Sequence, residues 1–262
     1  MKTSAFSKAF LPFVLVSATA LSLSGCGGGT QPPAETPRSV TGSTNLTGLW
    51  RVISKVGTTT QRTAATFVDS GANVAMNDCG LGFRNYALTR TGNALKGYYF
   101  NLADILVVGN DSLTYNYNNI DRDFEKMDKD AVYDMGNFSL SSAAFPTVNA
   151  TSDVCVGFTD NGTEEGLILS TRVNGEMLRI TINLTNSLRT GSFAIEPFGN
   201  APATVTLDGA PLQTMIGADS AAVLQGTLTI TKRGTVWVEG TVTGTLDDET
   251  TNISVSFKAE TP

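Results

Sequence analysis

The chain of 262 residues contains no histidine, two tryptophans and three cysteines. Without histidine it lacks the commonest general base at neutral pH and the commonest metal ligand in proteins. Ser-His-Asp catalysis, Cys-His catalysis and the usual zinc sites are therefore excluded. Carboxylate chemistry and calcium binding remain open, because neither requires an imidazole.

Long apolar runs are also scarce. The one extended run is Ala9–Leu21, which carries no charge and follows the basic residues Lys2 and Lys8. It is shorter than the roughly 20 residues that a spanning helix needs, and it is typical of the apolar part of a signal peptide. Pro12 disfavours a regular helix through its middle. We therefore interpret residues 1–25 as a signal peptide.

The apolar run is followed by Leu23-Ser24-Gly25-Cys26. Behind a basic and an apolar segment, these residues resemble the lipobox of bacterial lipoproteins. The resemblance implies that Cys26 receives a diacylglyceryl group, that the chain is cut before it, and that its new amino group is acylated. Two or more acyl chains anchor a protein stably to a membrane. In this family an Asp after the cysteine favours the inner membrane, so Gly27 predicts the outer membrane, with the body facing the periplasm or the cell surface.

Residues 26–44 comprise this cysteine and a segment rich in Gly, Pro, Ser and Thr without hydrophobic periodicity. Such a composition cannot bury enough apolar surface to fold alone. We interpret it as a flexible tether with an end-to-end distance of roughly 25 Å.

The charge balance is acidic. Removal of Lys2 and Lys8 with the signal peptide leaves 16 basic and 24 acidic residues, a net charge of −8. Nucleic acids require a basic surface, and a polybasic hold on anionic lipid does as well. We therefore expect no nucleic-acid partner, and membrane association through the lipid anchor alone. A protein, a glycan or a small apolar ligand remains open as a further partner.

Two cysteines remain once Cys26 is assigned to the lipid, namely Cys79 and Cys155. In an exported protein a leftover pair usually forms a disulfide. Closing the loop between them is worth roughly 4.5 kcal/mol in the chain-entropy model. The alternative is a pair of buried free thiols.

The body, residues 45–262, has strand character almost throughout. Short apolar or β-branched runs recur between turn signals, which predicts roughly a dozen strands in an antiparallel β-sandwich or barrel. We expect an N-terminal β region at 45–135 and a C-terminal β-meander region at 150–262, either as one large domain or as two small ones. Helical spacing is confined to 122–132 and 219–224.

The second half carries the clearest strand signals. Asn174-Gly175 lies between two apolar runs and predicts a tight hairpin. Residues 177–184 alternate between polar and apolar side chains, as a half-buried strand does. Alternating runs from 226 to 257, with an acidic turn at 247–249, predict a meander.

The body opens with Leu46-Thr47-Gly48-Leu49-Trp50. This stretch resembles the Gly-x-Trp opening strand of lipocalin-like barrels, in which the tryptophan has a structural role at the barrel base. The C-terminal meander resembles the calycin-like or sandwich domains of uncharacterised bacterial lipoproteins. These resemblances imply a β domain and carry no catalytic residues.

The densest charged stretch places Asp121, Asp123 and Glu125 at alternate positions, as carboxylates occur in calcium loops. An EF-hand loop would need Gly and Glu where this chain has Lys126 and Val132. We therefore interpret the stretch as a solvated charged face, and a calcium site remains the alternative.

Aromatic residues are the other binding candidates. Tyr98, Tyr115 and Trp237 could form a pocket or a glycan-binding surface, although aromatic residues of β proteins commonly pack in the core. Trp237 lies between two valines and is expected on the opposite face of its strand. The glycines form no phosphate loop and no dinucleotide fingerprint, so no cofactor is predicted.

Three functions follow from these patterns. The first is a membrane-anchored exported lipoprotein whose non-catalytic β domain has a binding or structural role in the cell envelope. The second is a lipocalin-like carrier that holds a small apolar ligand inside a barrel. The third is a histidine-free hydrolase of envelope polymers, which would need converging carboxylates.

Overall fold

The structure is a computed structural model that describes residues 45–97, 103–107, 111–117, 120–130, 132–196, 201–235 and 237–260. These residues belong to one compact unit that spans Arg38–Pro262. They form eighteen strands and one short α-helix, which confirms the predicted all-β class. The strand pairs are antiparallel except for a single parallel contact between β14 and β15.

The first eight strands form a ring of antiparallel ladders. Each strand pairs with the next one along the chain, and β8 pairs back with β1. The bounds are β1 Gly48–Val56, β2 Thr59–Asp69, β3 Asn73–Asp78, β4 Arg84–Thr91, β5 Ala94–Gly97, β6 Ala103–Val107, β7 Ser112–Tyr117 and β8 Ile120–Lys126. A 3-10 turn at Cys79–Leu81 joins β3 to β4.

Large side chains fill the interior of this ring. Trp50 packs edge-on against Phe67 at 5.5 Å between ring centroids, and Phe67 packs in the same manner against Phe124 at 6.0 Å. The indole nitrogen of Trp50 donates a hydrogen bond to the Leu46 carbonyl at 2.8 Å. Truncating any of these aromatic rings would cost about 3–5 kcal/mol. The ring interior is therefore a packed core among the described residues.

The remaining strands form a second sheet. It runs in the order β10-β9-β18-β17-β16-β15-β13-β12-β11, with β14 paired to β16. The bounds are β9 Gly136–Ser142, β10 Val148–Ala150, β11 Cys155–Asp160, β12 Glu164–Val173, β13 Glu176–Thr185, β14 Gly191–Ile195, β15 Ala203–Asp208, β16 Ser220–Arg233, β17 Trp237–Leu246 and β18 Asn252–Glu260.

Strands β1 and β2 contribute side chains both to the ring core and to the core of the second sheet, because successive side chains of a strand point to opposite faces. Trp50 and Ala65 lie in the ring core, whereas their chain neighbours Leu49 and Ala64 lie in the core of the second sheet. Strand β11 continues the ladder by pairing with β2. Between the two predicted β regions, β9 and β10 are integral strands, and β9 pairs with the C-terminal strand β18.

Both predicted helices are wrong. Residues 122–126 belong to β8, where Arg122 and Phe124 are buried with the period of a strand and pair with β1 and β7. Residues 220–224 begin β16. The α-helix that does form, α1, spans Ala210–Ile216 and ends at Gly217 in the left-handed conformation. No helix in the described part of the chain is long and apolar enough to cross a membrane.

The predicted hairpin is confirmed. Strands β12 and β13 pair from Glu164 to Val173, and the turn residues Asn174 and Gly175 have φ values of 54° and 87°. These are the values that a tight primed turn requires. The predicted alternation in β13 is confirmed by its burial, and the meander forms from β16, β17 and β18.

Candidate functional site

Several sequence-predicted positions lie outside the described residues. They are the signal peptide at 1–25, Cys26 with the tether at 26–44, and Tyr98. The remaining candidates are placed by the structure, and they do not come together at one site.

Tyr115 lies in β7 and points into the ring core, where it is 2% exposed. It packs in the same cluster as Trp50 and Phe124. Its side chain therefore contributes to the core and presents no surface to a ligand.

Trp237 begins β17 and is half-buried, while its neighbour Val238 is fully buried on the opposite face. The ammonium group of Lys258 lies over the indole ring, 4.8 Å from its centroid. Lys258 also pairs with Glu239 at 3.7 Å. One face of the Trp237 indole is thus covered by a side chain of the same protein.

Asp121, Asp123 and Glu125 lie on one face of β8, where alternate residues are about 6.6 Å apart. Glu125 pairs with Arg51 at 3.0 Å, and Asp123 accepts a hydrogen bond from the Thr114 hydroxyl at 3.4 Å. A straight strand spreads its carboxylates instead of gathering them around one ion. Within the described ranges, no group of three or more acidic or cysteine side chains could hold a metal.

Cys79 and Cys155 form a disulfide, and both residues are buried. Cys79 follows β3 of the ring, and Cys155 begins β11 of the second sheet. The bond therefore fastens the 3-10 turn after β3 to the second sheet.

Beside this disulfide lies a cleft of about 520 Å³ that the sequence did not predict. One wall is the segment 80–85, and the other is the hairpin of β12 and β13. The charged and polar side chains that line the cleft are Arg84, Asn85, Arg172, Glu176 and Arg179. We call it the arginine cleft.

The hairpin places two arginines on one face by strand register. Ser170 pairs with Arg179, and Arg172 pairs with Met177, so all four side chains point the same way. The residues between them, such as Leu169 on β12 and Leu178 and Ile180 on β13, point into the core. Cys155 pairs with Ser170 in the neighbouring ladder, which brings the disulfide beside this row.

Each hairpin arginine forms an ion pair with a carboxylate that lies near the Nε edge of its guanidinium group. Nε of Arg172 lies 3.2 Å from a carboxylate oxygen of Asp153. Nε of Arg179 lies 3.7 Å from an oxygen of Asp208, the residue directly opposite it on β15. Because both carboxylates approach Nε, the terminal Nη groups are left for other partners, except that one Nη of Arg179 contacts the Met177 sulfur at 3.5 Å.

Aromatic packing stabilises the wall formed by residues 80–85. The Arg172 guanidinium lies 4.7 Å over the Phe83 ring, and Phe83 packs edge-on against Tyr133 at 5.4 Å. Phe83 is buried and has a φ of 57°, a left-handed conformation that is costly for an aromatic residue unless its surroundings hold it. The turn at Phe83 thereby leads the chain into β4 with Arg84 and Asn85 at the cleft.

A hydrogen-bond network fixes the same wall. The side-chain amide of Asn77 donates to the Phe83 carbonyl at 2.9 Å and to Oδ1 of Asn85 at 2.7 Å. The Tyr133 hydroxyl donates to the Asn77 carbonyl at 2.5 Å. Burial, and secondarily the negative charge of Asp78, raises the pKa of Tyr133 well above its ordinary value, so the hydroxyl stays a donor.

A second, more apolar groove of about 530 Å³ adjoins the arginine cleft. The two share Arg172 and Glu176, and the apolar groove is lined further by Phe145, Pro211 and Met215. Helix α1 forms one side of this groove. A ligand whose polar group lies in the arginine cleft would therefore have an apolar surface next to it.

The arginine cleft could not be recognised from spacing along the chain. Arg84 and Arg172 are 88 positions apart in the sequence, and their types and positions resemble those of ordinary surface arginines. The local signal available was the turn composition Gly80-Leu81-Gly82 after a cysteine, which marks a backbone bend without naming its role. Comparison of the chain with family models, with curated proteins and with solved structures finds no match.

Proposed function

We propose that the protein is an exported lipoprotein, anchored by Cys26, whose β domain binds a ligand in the arginine cleft without catalysing a reaction. The anchor rests on Leu23-Ser24-Gly25-Cys26, and the outer membrane is the proposed location because Gly27 follows. The observation that carries the binding role is the arginine cleft itself, which has the volume of a small-molecule site and an excess of guanidinium groups in its lining.

Export is supported by the disulfide. Disulfides persist in oxidising compartments and are rare in the reducing cytosol. The bond joins Cys79 to Cys155 across a sequence separation of 76 residues, within a fold whose cysteine side chains are both buried. With Cys26 assigned to lipid, every cysteine of the chain then has a role that suits the cell envelope.

A surface cleft fits the structure better than a ligand held inside the ring. The ring interior is occupied by Trp50, Phe67 and Phe124 together with smaller apolar side chains. A carrier of the lipocalin type would need that space for its ligand. The arginine cleft instead opens at the surface, where a tethered domain could reach ligands in the surrounding medium.

The anchor is tested by Cys26→Ser. We expect the variant to appear in the soluble fraction and to lose incorporation of labelled palmitate, because the thiol that carries the lipid is gone. Ser22→Ala, in the same leader but outside the four-residue motif, is the matched control and should stay with the membrane. Sedimentation of Cys26→Ser with the membrane fraction to the same extent as the unaltered protein would refute the anchor.

The location is tested by Gly27→Asp. The resemblance implies that an acidic residue after the lipidated cysteine retains the protein at the inner membrane. We therefore expect the variant to shift from outer-membrane to inner-membrane fractions on a density gradient, with Gly27→Ala as the control that stays. Identical profiles for the two variants would contradict the proposed location.

The binding role is tested by amide hydrogen exchange of the full lipidated protein in detergent micelles, with and without a soluble extract of the cell envelope. We expect the extract to slow exchange in residues 80–85 and 172–179, the two walls of the arginine cleft. The strands β17 and β18 are the internal reference, since they lie outside it. Unchanged exchange at both walls would refute the role of the cleft.

A further inference from the structure

We infer that the arginine cleft recognises a phosphoryl group, carried either by a soluble phosphorylated molecule or by a lipid headgroup. The inference rests on the proposed binding role of the cleft and adds the chemical class of its ligand. It is carried by the three guanidinium groups of Arg84, Arg172 and Arg179, which come from three separate segments and line one cleft.

The donors are oriented before a ligand arrives. Asp153 and Asp208 form ion pairs at the Nε edges of Arg172 and Arg179, and the guanidinium group of Arg172 lies over the Phe83 ring. A guanidinium group fixed in this way loses less rotamer entropy when it binds. Its terminal Nη groups remain to donate to an oxyanion.

Arg84 completes the arrangement from the opposite wall. It is exposed, it starts β4 directly after the turn at Phe83, and its guanidinium group donates a hydrogen bond to the Tyr86 side chain two residues further along the strand. The side chain of Asn77 holds that turn on both sides, through the Phe83 carbonyl and the Asn85 side chain. The backbone that carries Arg84 is therefore fixed, and the guanidinium N–H groups that do not contact Tyr86 can donate to a ligand.

Three guanidinium groups suit a phosphoryl group better than a carboxylate. A carboxylate is planar and is satisfied by one bidentate arginine, whereas a phosphoryl group presents oxygens in several directions and carries up to two negative charges. Donors that approach from the β4 wall and from the β12–β13 hairpin match the second geometry. A ligand with a single carboxylate would leave part of this donor set unused.

The remaining groups indicate what accompanies the phosphoryl group. Glu176 is the only acidic residue that lines the cleft among the described residues, and it begins β13 beside the apolar groove. Its carboxylate repels a second anion and can accept hydrogen bonds from hydroxyl groups. The cleft thus favours one phosphoryl group attached to a hydroxyl-bearing or apolar body.

The first test uses the full lipidated protein in detergent micelles, titrated calorimetrically with glucose 6-phosphate, glucuronate and glucose. We expect binding in the order in which they are named, with glucose 6-phosphate about tenfold tighter than glucuronate, because charged hydrogen bonds contribute the difference. Binding of glucose 6-phosphate should weaken as the salt concentration rises. Equal affinity for all three, or no heat with any of them, would overturn the inference.

Variants locate the binding. Arg84→Gln removes an exposed guanidinium group that pairs with no carboxylate in the described part of the chain, and it should weaken glucose 6-phosphate binding about tenfold. Glu176→Gln should strengthen it roughly threefold, since a repelling charge is removed. Arg189→Gln is the matched control, because Arg189 is exposed, lies outside the cleft and changes the net charge equally. A similar loss in Arg189→Gln and Arg84→Gln would show a nonspecific charge effect and refute the site.

An experiment with vesicles distinguishes a lipid headgroup from a soluble phosphorylated molecule as the ligand. The lipidated protein is inserted into phosphatidylcholine vesicles with or without phosphatidic acid, and hydrogen exchange is measured in residues 80–85. Protection that requires phosphatidic acid and is lost in Arg84→Gln supports a lipid headgroup. Protection by added glucose 6-phosphate alone supports a soluble ligand. Protection by neither probe overturns the inference.

Phosphatase treatment separates this inference from the proposed function. If the envelope extract protects the cleft, and the protection disappears after the extract is treated with alkaline phosphatase, both proposals stand. If the protection survives the treatment in Arg84→Gln as well as in the unaltered protein, the cleft binds a ligand of another class. In that outcome the binding role holds and the phosphoryl inference fails.

Discussion

Breaking the Cys79–Cys155 disulfide tests how the two sheets are held together. The bond closes a loop with a sequence separation of 76 residues, and the chain-entropy model assigns about 4.5 kcal/mol to that closure. The loop contains most of the ring, the two strands β9 and β10, and the connection between them. Removing the bond leaves these elements much freer in the unfolded chain, so we expect the free energy of unfolding to fall by about 4 kcal/mol.

Urea unfolding measures this loss. Trp50 is fully buried in the ring core, so its fluorescence reports unfolding there. If the free energy of unfolding falls by about 2 kcal/mol per molar urea, the urea concentration at the unfolding midpoint should be roughly 2 M lower in Cys79→Ala/Cys155→Ala. The slope of the free energy of unfolding against urea concentration should become steeper, because an unfolded chain without the cross-link exposes more surface.

The reduced, unaltered protein is the matched control. It keeps both sulfur atoms and loses only the covalent bond, so it should unfold close to the double variant. A midpoint that falls by less than about 0.5 M in both, with an unchanged dependence on urea, would refute the entropic argument. We also expect faster hydrogen exchange in residues 80–85 of both forms, because the disulfide fastens that wall of the arginine cleft.

Three further predictions concern single residues. Gly136→Ala should destabilise the protein by about 3 kcal/mol in urea unfolding, because the new Cβ would lie 2.1 Å from a backbone carbonyl oxygen of β18. In the control Gly57→Ala, the new Cβ meets nothing within 4 Å, and the substitution should cost only about 1 kcal/mol. Asp78→Asn should cost about 3 kcal/mol, since it removes a buried carboxylate that lies 3.3 Å from the buried guanidinium group of Arg122; a loss below about 1 kcal/mol would contradict this. Burial raises the pKa of Tyr133, so its contribution to stability is complete below pH ~10 and is lost as the pH rises further; Tyr133→Phe should flatten the alkaline part of the stability profile, and an unchanged slope would argue against it.

Local signals were sufficient for some elements and misleading for others. Asn174-Gly175 specifies a primed turn by backbone sterics alone, so the β12–β13 hairpin was predictable without knowledge of the fold. Helix α1 was missed, although Pro211 near its start and Gly217 after its end are the expected boundary residues. It is too short for hydrophobic periodicity to reveal it.

The error at β8 has a different cause. Phe124, Met127 and the residues after them have helical spacing, but Arg122 and Phe124 also satisfy the period of a strand. Pairing with β1 and β7 decides between the two, and those partners are distant in sequence. The same pairing aligns the three carboxylates along the strand and separates them.

The sequence by itself determined the all-β class, the hairpin and the alternation of β13, because these depend on local periodicity or turn sterics; it favoured a bond between Cys79 and Cys155, and the structure shows that bond. Only the tertiary structure decided that β8 pairs with β1, that β1 and β2 contribute side chains to two cores, and that Arg84 lines the same cleft as the arginines of β12 and β13. Such contacts join residues far apart in the chain, and they follow from strand register and from the burial of both sheet faces. The arginine cleft forms in this way. The Cys79–Cys155 disulfide and the pairing of β11 with β2 bring its two walls together, and no single segment of the chain contains both walls.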